Sequence, residues 1–141
     1  MPKPSQSLQR AVTKPIDEKL TINLGCVDLG QIDLLVQEGF YANRTDLIRT
    51  AIRNQLSRHG DAVRDAVARR TLVLGIQHYS AADLQAVQAR GEKLQIRVLG
   101  LAAIAPEVTP ALALASIDSI TVLGALHASP AVKAALAQRI R

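Results

Sequence analysis

The chain has 141 residues, 48% hydrophobic and 21% charged, and its seventeen Lys and Arg against twelve Asp and Glu leave a net charge of +5. That length allows one or two small domains with a modest core, and the mixture is that of a globular protein rather than a disordered one. With Phe40, Tyr41 and Tyr79 its only aromatic residues and Cys26 its only cysteine, it excludes base-stacking platforms for single strands, an internal disulfide and a thiolate zinc site.

Residues 1–70 carry eleven bases and eight acids and residues 71–141 six and four, so a charge-dense module precedes an apolar one. Residues 1–17, polar and containing prolines, Lys3, Arg10 and Lys14, read as a flexible basic arm. No apolar segment there suits a signal peptide, and Pro2, Pro4 and Pro15 spoil an amphipathic presequence, so a cytoplasmic protein is expected. The apolar region near the C-terminus is broken by Glu107, Asp118, Lys133 and prolines 106, 110 and 130 before about 20 residues accumulate, which argues against a membrane span.

Leu20, Ile22 and Leu24 alternate with Lys19, Thr21 and Asn23, the period of a short strand with one aliphatic and one polar face. Asp28 and Gln31 form a capping-box pattern ahead of Leu29, Ile32, Leu35 and Val36, which predicts a helix of about three turns closed by Gly39. Asn43 and Asp46 repeat that signature before Leu47, Ile48, Ala51, Ile52 and Leu56, a second helix that ends at His59-Gly60. One strand and two helices cannot bury their own apolar faces. A second copy resolves this, with two strands pairing as an antiparallel ribbon over four helices and the polar residues of both strands facing outward together.

The segment Lys19-Leu20-Thr21-Ile22-Asn23-Leu24, the first helix, the turn Glu38-Gly39-Phe40-Tyr41-Ala42 and the start Asn43-Arg44-Thr45-Asp46-Leu47-Ile48-Arg49 resemble the ribbon-helix-helix DNA-binding family over residues 18–58. In that family the ribbon enters the major groove and the start of the second helix holds a phosphate. The resemblance implies that Lys19, Thr21 and Asn23 read bases and that Asn43, Arg44 and Thr45 anchor the backbone. The chemistry agrees: Lys donates to guanine, Asn pairs with the adenine edge, and the Thr methyl meets thymine. Free N–H groups at a helix start attract an anion. Without the resemblance, Lys19, Thr21 and Asn23 would be the wet face of an ordinary strand. Arg49, Arg53 and Arg58 read as a solvated helix face, with Asp46 placed to pair with Arg49. Cys26 reads as a small structural residue, since no base or His adjoins it.

Residues 61–70 read as a helical connector. Beyond them Val73-Leu74-Gly75, Val98-Leu99-Gly100 and Val122-Leu123-Gly124 recur at intervals of 25 and 24 residues. Ser80, Ala105 and Ser129 stand five residues after each Gly as expected helix starts, Ser80 with Asp83 as capping box and the others followed by Pro106 and Pro130. Val87, Leu112 and Leu136 fall twelve residues past the glycines. The expected fold is α+β: a ribbon-helix-helix unit at 18–60, then a small α/β module at 71–141 of three strand–helix repeats, a short solenoid or an open parallel sheet. Near-continuous apolar strands such as Ile96 to Leu101 suggest a sheet buried on both faces. The module matches no named family pattern; the likeness to leucine-rich-type repeats is in period alone.

His78 and His127 share a repeat position, but Ala103 holds the middle one and no paired His accompanies them, so no metal and no cofactor is expected. No phosphate-cradling Gly loop, nucleophile elbow or clustered acid pair is present, and an enzyme is not expected. The expected function is a sequence-specific transcriptional regulator, a repressor, that binds double-stranded DNA as a homodimer. Residues 71–141 would join dimers into tetramers or sense a small-molecule or protein effector. The competing readings are an antitoxin of a toxin–antitoxin pair that also autoregulates, and a DNA-coating or segregation protein.

Overall fold

The computed structural model describes residues 17–141, so the expected arm with Lys3, Arg10 and Lys14 lies, but for Asp17, outside the described residues. The elements in order are α1 (Cys26–Gln37), α2 (Arg44–Arg58), α3 (Gly60–Arg70), β1 (Val73–Tyr79), α4 (Ala81–Ala89), β2 (Leu94–Ile104), α5 (Pro110–Ser116), β3 (Ile117–His127) and α6 (Pro130–Ala135). The described residues fall into two compact units, 17–66 and 67–141.

In the first unit, residues 18–24 carry no strand within one chain. The predicted ribbon strand needs a partner for its N–H and C=O groups, and this unit holds no second strand to supply one. Helix α1 begins upstream of its predicted start: Gly25, in extended backbone, is the N-cap without a side-chain bond, and Asp28 sits in the first turn rather than capping it. Its end is as predicted. Gly39 takes φ +83°, its N–H donates to the Val36 carbonyl at 3.1 Å, and the Phe40 N–H reaches back to Leu35 at 3.0 Å. This paired closure of a helix uses a conformation open mainly to glycine. Helix α2 starts at Asn43, whose side chain accepts from the Asp46 N–H at 2.8 Å. His59 ends α2, and Gly60 opens α3 at once instead of ending the helical stretch.

In the second unit, β1, β2 and β3 lie side by side in that order, all parallel. The register aligns Val73, Val98 and Val122, then Leu74, Leu99 and Leu123, then Gly75, Gly100 and Gly124. Helices α4, α5 and α6 pack on one another in sequence, and one core joins Leu84, Ala113, Val132 and Leu136 to Ile96, Val98, Ala102 and Ile120 of the sheet. Successive strand residues point to opposite faces, so Val98 enters this core while Leu74 and Leu123, 67% and 44% exposed, mark the other face. Among the described residues the sheet is therefore covered by helices on one face, not two as its apolar runs suggest. Along β3, the C-terminal stretch adds a bridge: Ile120 N–H donates to the Arg139 carbonyl at 2.9 Å and Arg141 N–H to the Ile120 carbonyl at 2.8 Å.

In the second unit the helix starts follow the expected caps with one exception. Ser80 and Asp83 form a reciprocal capping box at 3.1 and 3.0 Å, which also holds the Asp83 carboxyl below its ordinary pKa through those hydrogen bonds. Ser129 caps α6, with Pro130 at its first position. The helix predicted at Ala105-Pro106 begins four residues later, where Thr109 caps Leu112 N–H at 3.2 Å and Pro110 takes the first position. A helix from Pro106 would have placed Pro110 in its interior, without an N–H to donate and against the Pro106 carbonyl. Among the described residues no helix is long and apolar enough to cross a membrane.

Candidate nucleic-acid interface

The residues expected to touch DNA all lie in the unit of residues 17–66. Lys19, Thr21 and Asn23 are exposed, and so are the Leu20, Ile22 and Leu24 that alternate with them. A period-two segment with both faces in water has no burial to hold its aliphatic side, and Leu20 stands 80% exposed. The same holds across the unit: no residue of 17–66 is buried, and Val27, Leu34, Phe40, Ile52 and Leu56 are exposed. Phe40, 71% exposed, follows the glycine that closes α1.

At the start of α2, Asn43 spends its side-chain oxygen on Asp46 N–H, and the Leu47 N–H reaches the Asn43 carbonyl at 3.3 Å. The Arg44 and Thr45 amides precede the helical ladder and point out from its positive end. Thr45 is exposed beside them. The Asp46 carboxylate accepts from the Ala42 N–H at 3.0 Å. It is thereby turned toward the turn before α2 rather than toward Arg49, which is exposed together with Arg53 and Arg58. The expected pairing of Asp46 with Arg49 is not formed.

Arg44 does more than the sequence suggests. Its Nε and Nη2 donate to the two carboxylate oxygens of Asp33 on α1 at 2.7 and 2.8 Å, a planar fork that ties the first helix to the start of the second. The fork holds the Asp33 carboxyl below its ordinary pKa, chiefly through the hydrogen bonds from Arg44, and raises Arg44 in turn. Two of its five guanidinium donors are engaged in the fork. Asp33 is the residue that sequence reasoning missed. It lies eleven positions from its partner, across a turn, where neither helical spacing nor a cap rule links them.

His78, Ala103 and His127 align across the three strands, so two strand spacings, about 9.6 Å, separate the histidine positions. Among the described residues no group of three or more His, Cys, Asp or Glu is placed to hold a metal ion.

The family model of ribbon-helix-helix transcriptional regulators matches residues 15–133. The chain belongs to that family. The match takes in the segment of Lys19 to Leu24, both helices that follow and the sheet unit as far as Lys133, so residues 71–133, which carry no family pattern of their own, share in the family architecture. Ribbon-helix-helix regulators are DNA-binding proteins of transcription and generally not enzymes. No curated protein and no solved structure matches the chain.

Proposed function

We propose that this ribbon-helix-helix regulator is a homodimeric, sequence-specific repressor acting on double-stranded DNA in the cytoplasm. Two copies pair residues 19–24 as an antiparallel ribbon, whose outward Lys19, Thr21 and Asn23 read bases in the major groove. Asn43, Arg44 and Thr45 receive a backbone phosphate at the start of α2 and set the register without reading sequence. The observation that carries this reading is a unit, 17–66, with apolar side chains alternating along its first segment and no buried residue. A second copy supplies what the single chain lacks: a strand partner, and a cover for Leu20, Ile22 and Leu24, each contributing about 1.5–3 kcal/mol when fully buried. The three aligned Val-Leu-Gly strands form a repeat module that joins dimers into larger assemblies. It buries a core of its own, which favours the repressor reading over an antitoxin whose tail orders only on its toxin.

The test is fluorescence anisotropy of the full chain against DNA upstream of its own gene and against scrambled DNA, each titrated across salt. A gap in affinity that persists as salt rises is the expected result. Equal and steeply salt-dependent binding to both would leave only phosphate attraction and overturn the assignment of the ribbon.

A further inference from the structure

Gly75, Gly100 and Gly124 are aligned across the sheet, at φ +123°, +136° and +122°, a region that side chains rarely enter. A Cβ on Gly100 would run into the Gly75 carbonyl oxygen, and one on Gly124 into the Gly100 carbonyl oxygen. Each carbonyl thus fills the space left bare by the glycine of the next strand. The row has two open ends. At Gly75 a Cβ would meet nothing within 4 Å, so the same bare space lies vacant at the edge of β1 that no described strand pairs. The Gly124 carbonyl, following the direction of the two before it, would project off the edge of β3 away from β2.

We infer that the β3 edge of one copy docks head to tail on the β1 edge of a second copy, the Gly124 carbonyl seating at Gly75 and the parallel sheet running on across the junction. This names the edges by which the second unit self-associates; it rests on that self-association and is independent of the DNA reading.

Three further features fit the same occupant. The register of β1 on β2 starts at Val98, whose partner on β3 is Val122, so a copy's β1 would cover residues 122–128. Among the described residues the C-terminal stretch bridges β3 at Ile120, outside that span. Neither Val73–Tyr79 nor the stretch 122–128 contains a charged residue or a proline, the usual guards of a free strand edge. At the junction Leu123 would lie beside Leu74, burying the two most exposed members of the leucine row. A two-fold pairing of β1 with β1 would instead set two vacant glycine spaces opposite each other with no carbonyl to fill them.

The test uses the full chain with exposed Cys26 replaced by Ser and two single-cysteine variants, Leu74→Cys and Leu123→Cys, mixed and oxidised without DNA. Neighbouring strands bring such residues within about 5 Å, inside disulfide reach. Separate chains remove any link within one molecule. The expected result is a 74–123 disulfide in the mixture and little from either variant alone. A 74–74 adduct as the main product would show self-association through a different edge and overturn the head-to-tail arrangement. A chain that stays dimeric at every concentration in sedimentation, with no adduct, would overturn both this junction and the proposed role of the second unit, while leaving the anisotropy result untouched. Leu74→Lys, at an exposed side chain, is expected to lose the larger species and keep the dimer; retention of the larger species would count against the junction.

Discussion

Asn23 and Asp33 show how differently two exposed polar residues act in one small unit. Asn23 touches nothing that shapes the chain, so its replacement reports on DNA alone: Asn23→Ala is expected to cost about 1–3 kcal/mol on the specific site and to relax preference at one base pair, with nonspecific affinity unchanged. Anisotropy against single-base operator variants measures both. Asp33, by contrast, holds α1 to Arg44. Because its pKa is depressed in the folded chain, its stabilising contribution is complete above the ordinary carboxylate value of about 3.9 and is lost as pH falls through the lower folded value. The difference in melting temperature between Asp33→Asn and the parent is therefore expected at neutral pH and should close in acid. A difference that persists in acid would show that the fork is not its source. The glycine row separates strain from collision in the same way. Gly75→Ala and Gly100→Ala each force a side chain to positive φ, at about 1–3 kcal/mol, but only the second drives a methyl into backbone. Denaturant unfolding should find Gly100→Ala the more destabilised of the two.

At the level of elements, what could be read from the chain was what local chemistry dictates. The Gly39 closure, the Ser80–Asp83 box and the Ser129-Pro130 start are each settled within a few residues, and each stands where the spacing places it. The Asp28 cap failed because an extended Gly25 let α1 start earlier, and the Pro106 start failed because Pro110, four residues on, is compatible only with a later one. The uncovered face of the sheet was illegible for another reason: Leu74, Leu99 and Leu123 are as apolar as the valines beside them, and composition does not say which row meets helices. The proposed interface residues rest on the pattern of residues 19–24 and the start of α2, whereas the Arg44–Asp33 fork depends on the turn between the helices. The proposed ribbon needs two chains. Ile22→Asp, which would place a charge in its apolar face, is expected to abolish the dimer in sedimentation while the sheet unit keeps its strand and helix signal by circular dichroism. A stable Ile22→Asp dimer would reverse the facing assigned to the segment.

Across the whole molecule the two units differ in where their cores come from. Residues 67–141 close a core within one chain, from Leu84 and Val132 on the helices to Ile96 and Ile120 on the sheet. Residues 17–66 hold no fully buried residue. Unfolding should accordingly divide into two transitions, and in Leu74→Lys, where the sheet units do not dock, only that of residues 17–66 should move with protein concentration. If head-to-tail docking of the sheet units links dimers bound to DNA, Leu74→Lys should lower the cooperativity of binding to adjacent sites without changing affinity for one.

The lack of any buried residue in the first unit also sets a threshold for the regulator in the cell. On the proposed dimer, a copy without a mate after division, or early in expression, would be only half a protein: its sheet unit is built, but its reading head would not be. Repression would then switch on with roughly the square of chain abundance, and mateless copies would present Leu20 and Phe40 to proteases until pairing hides them. The exposed leucines of a single chain would in this way serve as a clock for its removal.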